Sequence, residues 1–67
     1  MKIYTKRELA MLYFPNLTPK SATNKLARWI NNSEVLNRRL AAAGYQSANK
    51  YFTVRQLKIL YEFFGEP

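Results

Sequence analysis

Thr18-Pro-Lys-Ser-Ala-Thr-Asn-Lys-Leu-Ala-Arg-Trp-Ile-Asn31 is the stretch on which the fold turns. Thr18 has the hydroxyl of a good N-cap, able to accept from the free N–H groups of a first helical turn. Pro19 fits the first helical position, where its missing N–H costs nothing. Ala22, Leu26, Trp29 and Ile30 follow at helical spacing and form one apolar stripe. On a helical wheel Lys20, Ser21, Asn24, Arg28 and Asn31 fall on the other side, with Lys25 on the flank. No acid interrupts the segment. Arg and Lys pair with phosphates and guanine edges, and Asn pairs bidentately with adenine. The plain alternative is a solvated helix face.

Outward from this helix, the chain reads as one domain over 1–67, mainly α, with four helices in a helix-turn-helix-like order. Thr5-Lys6-Arg7-Glu8 is a capping box, and Tyr4 and Leu9 occupy the staple positions around it. Leu9, Leu12 and Tyr13 form the expected inward face of this first helix, which Pro15 ends through its effect on Phe14. Phe14 to Leu17 makes the turn into the central helix, with Asn16 the residue best suited to a left-handed corner. Ser33 caps a third helix running to Ala43, with Val35, Leu36, Leu40 and Ala43 as its apolar side and Gly44 as its stop. Gly44 to Lys50 reads as a loop or small hairpin. Thr53 and Gln56 make a second capping box at the start of the last helix. On that helix Val54, Leu57, Leu60, Tyr61 and Phe64 face one way.

The segments Tyr4 to Tyr13 and Phe52 to Tyr61 align without gaps, with five of ten positions identical. Any strand running into a box-capped helix needs similar residues, so convergence accounts for much of this. The further expectation is a short two-stranded sheet or wing, Lys2–Tyr4 with Lys50–Phe52, beside the central helix.

Composition narrows the function. Sixty-seven residues bury about 60% of the unfolded surface, which leaves little margin for stability. There is no Cys and no His. Disulfides, the usual zinc and iron sites, and the common nucleophile–base arrangements are therefore excluded. Only two glycines occur, too few for a phosphate-cradling loop. No catalytic residue, metal or cofactor is expected. Eleven Lys and Arg face four acids, a formal net charge of +7. Between Lys20 and Lys58 stand eight basic residues and one acid, Glu34. Such a field attracts a polyanion. The longest apolar run, Leu9 to Phe14, is too short to span a bilayer, so a membrane is not an expected partner. With no signal-like apolar core at the N-terminus, the expected compartment is the cytoplasm.

The leading expectation is therefore binding of nucleic acid, in the form of double-stranded DNA. Lys20, Ser21, Asn24 and Arg28 would enter the major groove. Lys25, Arg38, Arg39, Lys50 and Arg55 would contact phosphates. The alternative is a protein-interaction or homodimerisation module using Met11, Phe14, Ile59 and Phe63, which lie off the main apolar stripes. A third is stacking of single strands on Tyr45, Tyr51 or Trp29.

The order resembles the winged helix-turn-helix domains of the mercury-resistance-regulator and excisionase type. Tyr4-Thr5-Lys6-Arg7-Glu8-Leu9-Ala10 is similar to their opening helix, and Phe52-Thr53-Val54-Arg55-Gln56-Leu57 to the helix start after their wing, with Gln56 in place of the acid. The long turn at Phe14 to Leu17 and the inserted helix from Ser33 depart from that pattern. Over nearly the whole chain the sequence more closely resembles a family of short Bacteroides-type bacterial proteins of unknown function. The shared marks are Leu12 to Pro15, Thr18-Pro19, Arg28 to Ile30, Gly44-Tyr45 and Gly65 to Pro67.

Overall fold

Two capping boxes set the framework. The computed structural model describes residues 3–67 and runs β1 (Tyr4–Thr5), α1 (Lys6–Tyr13), α2 (Pro19–Asn31), α3 (Glu34–Ala42), β2 (Tyr51–Phe52) and α4 (Val54–Phe64). At the start of α1, Thr5 Oγ1 accepts from Glu8 N and Glu8 Oε1 accepts from Thr5 N, both at 3.0 Å. Thr53 and Gln56 repeat this arrangement at the start of α4. An N-cap has extended backbone, so it can also end a strand. Thr5 does both, at φ −69° and ψ 161°.

β1 and β2 pair antiparallel, Tyr4 opposite Phe52 and Thr5 opposite Tyr51. Tyr4 and Phe52 are also aligned with each other in the sequence repeat, so its two halves meet in this sheet. The strands are shorter than the expected Lys2–Tyr4 and Lys50–Phe52. Lys2 lies outside the described residues, and Ile3 is exposed and belongs to no strand. Lys50 lies just before β2, and its carbonyl accepts from Lys6 N at 2.9 Å. The two strands are separated by three helices, so the sheet is not a hairpin wing.

The core combines Leu9 and Ala10 of α1, Ala22, Leu26 and Ile30 of α2, Leu36 and Leu40 of α3, Phe52 of β2, and Leu57, Ile59 and Leu60 of α4. Two expected core residues point away. Leu12 is 46% exposed and Val35 58%. On α1 the buried face is centred between Leu9 and Ala10, and on α3 on Leu36 and Leu40, which turns Leu12 and Val35 aside at about 100° per residue. On α4 the buried face takes in Gln56 and Ile59, while Val54, Tyr61 and Phe64 are half-buried at its edge.

Beside the aliphatic core lies an aromatic cluster. Trp29 sits 4.7 Å from Phe14 and 4.9 Å from Phe64 between ring centroids, with Tyr13 at 6.0 Å. Edge and tilted contacts of this kind add to simple burial. They hold α2 against the end of α1 and the end of α4. The Phe14–Thr18 connection closes with Leu17 N donating to Phe14 O at 3.1 Å. No described residue other than glycine has positive φ, so Asn16 does not make the left-handed corner expected of it. Gly44 does so for α3, at φ 85°. There Tyr45 N donates to Leu40 O and Gly44 N to Ala41 O, the paired bonds of a Schellman stop.

Candidate nucleic-acid interface

The helix that decides the fold, α2, runs for 13 residues and presents a polar face. In α2, Thr18 Oγ1 accepts from Ser21 N at 3.3 Å, and Pro19 occupies the first turn. Ala22, Leu26 and Ile30 are buried, and Trp29 is wedged among the rings. That orientation leaves Lys20, Ser21, Asn24, Lys25, Arg28 and Asn31 exposed. Among the described residues, none covers Asn24 or Arg28, and both are exposed.

Grooves run on both sides of this ridge. On one side, the start of α1 and the Ser47–Tyr51 segment face α2. Lys6, Arg7, Lys20, Asn24 and Lys50 line that groove. It continues between α2 and α3 past Thr23, Ala27, Asn31 and Asn37. On the other side Ser21, Lys25 and Arg28 line a groove with Leu17, Trp29 and Asn32. Asn24 belongs to all three surfaces and so stands on the crest. No acid lines any of them.

The acids lie elsewhere. Glu8 is committed to its capping box. Glu34 pairs with Arg38 at 2.6 Å, and Glu62 with Arg39 at 2.7 Å. Arg39 also lies over the Phe63 ring, 5.4 Å from its centroid. Thus Lys20, Ser21, Asn24, Lys25, Arg28 and Lys50 come together around α2. Arg38, Arg39 and Arg55 line none of the three grooves, and the first two are occupied by carboxylates.

Lys6 and Arg7 join the surface although the sequence reading assigned them no binding role. The strand repeat carried the usable signal, because pairing β1 with β2 brings the start of α1 beside Lys50. Lys6 fixes that neighbourhood. Its ammonium donates to the Ser47 carbonyl and lies 4.9 Å from the centroid of the Tyr45 ring. Tyr45 in turn stacks on Phe52 at 5.4 Å. Lys25 is steadied in a similar way, its ammonium 4.8 Å from the centroid of the Phe14 ring. Asn37, also unassigned from sequence, donates to Ile30 O at 2.9 Å and Ser33 O at 3.1 Å, tying α3 to the end of α2.

Comparison with family models gives one assignment. The model of DUF4248, a domain of unknown function, matches residues 1–67, the whole chain. The chain belongs to the DUF4248 family. No curated protein and no solved structure matches it. Among the described residues of this DUF4248 member, no helix is long and apolar enough to cross a membrane.

The four residues of the interaction alternative do not form a shared exposed patch. Ile59 is in the core, and Met11 and Phe14 pack against it half-buried. Phe63 is the exposed member, at 38%.

Proposed function

We propose that this DUF4248 domain is a binding module for double-stranded DNA that lays α2 in the major groove. One observation carries the reading: the exposed face of α2 and the grooves beside it gather cations and amides with no acid among them. Lys20, Ser21, Asn24 and Arg28 face the base edges, and Lys25 and Lys50 meet phosphates. Arg55, exposed and outside the grooves, adds to the long-range field that steers the encounter, whereas Arg38 and Arg39 are neutralised by Glu34 and Glu62. The likeness of Tyr4 to Ala10 and of Phe52 to Leu57 to mercury-resistance-regulator and excisionase helix-turn-helix domains supports the same reading. The proposed setting is the bacterial cytoplasm, and the proposed activity is binding rather than catalysis.

Fluorescence anisotropy with labelled duplexes tests it. Binding at low salt should weaken with a slope of about −0.9 in log K against log salt for each phosphate neutralised. Arg28→Ala should reduce discrimination between duplex sequences, and Lys25→Ala should lower affinity for all of them alike. A protein that ignores duplex DNA at low salt ends the proposal. Stronger binding to single strands than to duplex would favour stacking on the exposed Tyr51.

A further inference from the structure

A helix about 10–12 Å across fills a major groove about 12 Å wide, with a sugar–phosphate backbone on either side. The surface of this domain is divided in the same manner. Lys25 and Arg28 line one flank of α2. Arg7, Lys20 and Lys50 line the other. These five side chains are exposed. Asn24 stands between the flanks.

We infer that the groove between the start of α1, α2 and the Ser47–Tyr51 segment holds the second backbone of the duplex, with Arg7 and Lys50 as its phosphate contacts. This deepens the proposed function and rests on it. Arg7 comes from the first helix and Lys50 from a segment more than forty residues later, so the groove exists only in the folded chain. Beyond the β1–β2 pairing of Thr5 with Tyr51, two bonds join its walls: Lys6 N to Lys50 O at 2.9 Å, and the Lys6 ammonium to the Ser47 carbonyl. Lys6 is therefore a positioning residue, with its charge already directed at the loop, whereas the Arg7 and Lys50 head groups make no hydrogen bond or ion pair among the described residues. Lys25 holds the first backbone on the opposite flank, and base edges lie under Asn24 and Arg28.

The test is the salt dependence of duplex binding by the full chain, with circular dichroism confirming the fold of each variant. Arg7→Gln and Lys50→Gln should each reduce the slope of log K against log salt by about 0.9, as expected for one lost phosphate contact. Lys58→Gln removes the same charge from an exposed site on α4 that lines none of the grooves, and should leave the slope unchanged. If Arg7→Gln and Lys50→Gln behave like Lys58→Gln while Lys25→Gln reduces the slope, the second-backbone assignment is overturned and duplex binding stands. If both variants lose single-strand affinity and keep duplex affinity, the groove serves a single strand and the inference is again overturned. If the unaltered protein binds no duplex at low salt, the proposed function falls with it.

Discussion

Gln56 is buried, with 2% of its surface exposed, and it is bonded at both ends of its amide. Oε1 accepts from Thr53 N at 3.1 Å, closing the capping box, and Nε2 donates to Ala43 O at 3.0 Å. A carboxylate would close the box equally well but would set a negative charge against the carbonyl end of α3, where the helix dipole is also negative. Gln56→Glu should therefore cost about 1–3 kcal/mol at neutral pH, the range for a buried group left without its partner. The measurement is the urea midpoint. Part of the loss should return in acid, because a protonated carboxyl can donate to Ala43. The sequence shows the box, since Thr53 and Gln56 stand three apart. It does not show Ala43 as second partner, because that bond joins two helices. Tyr13 makes a comparable long-range contact, its hydroxyl donating to Gly65 O at 2.6 Å. Burial pushes its pKa up from 10.0 to about 12, with smaller contributions from Tyr61 and Glu66. The folded state thus favours the neutral phenol. Its contribution is complete below the unfolded value and is lost as pH rises from about 10 toward 12. Across that window the unfolding midpoint of Tyr13→Phe should fall less than that of the unaltered protein.

At the scale of the elements, α2 depends on its first turn. Thr18 Oγ1 takes one of the orphan N–H groups there, and Pro19 removes another. Thr18→Ala should cost about 1 kcal/mol, and Thr18→Ser should restore most of it. Thermal unfolding of the two variants checks this, and equal loss in both would mean that the methyl group, not the hydroxyl, matters at Thr18. The four helices were legible because their signals are local: Thr5, Thr18, Ser33 and Thr53 each cap within three residues, and Pro15 and Gly44 each stop a helix nearby. The inward faces are less legible. Leu12 and Val35 are apolar and lie next to buried positions in sequence, yet the rotation of each helix is set by the partners it meets. α1 turns Leu9 and Ala10 inward, and α3 turns Leu36 and Leu40. Asn16 failed as a left-handed corner for a related reason: a connection from Phe14 to Thr18 has enough residues to turn the chain with negative φ throughout.

Over the whole molecule, what matters is how the formal +7 is distributed. The total was plain from sequence, and so was the basic run around α2. Its partition was not, because Arg39 meets Glu62 across 23 positions and Arg7 meets the Lys50 groove only through the β1–β2 pairing. Exposed pairs such as Arg38–Glu34 contribute about 0–1 kcal/mol to stability, so their main effect here is to neutralise Arg38 and Arg39 on α3. The α2 side keeps its charge, and like charges held together oppose folding of the free protein. A polyanion that binds only the folded form should reverse this. Duplex DNA at a hundred times its Kd should add about 2.7 kcal/mol. For a domain of this size each kcal/mol moves Tm by about 4–8 °C, so the rise should be roughly 10–20 °C. Simple phosphate at matched ionic strength should give far less, since it lacks the spacing to engage both flanks. In the triple variant Lys20→Gln, Lys25→Gln, Arg28→Gln, the free protein should melt close to the unaltered one, because relieved repulsion offsets the lost contact of Lys25 with the Phe14 ring and no described ion pair is lost. The rise on adding duplex should shrink sharply. Were the triple variant instead to melt well below the parent without DNA, these cations would be holding the fold together, and their gathering around α2 would no longer argue for a ligand.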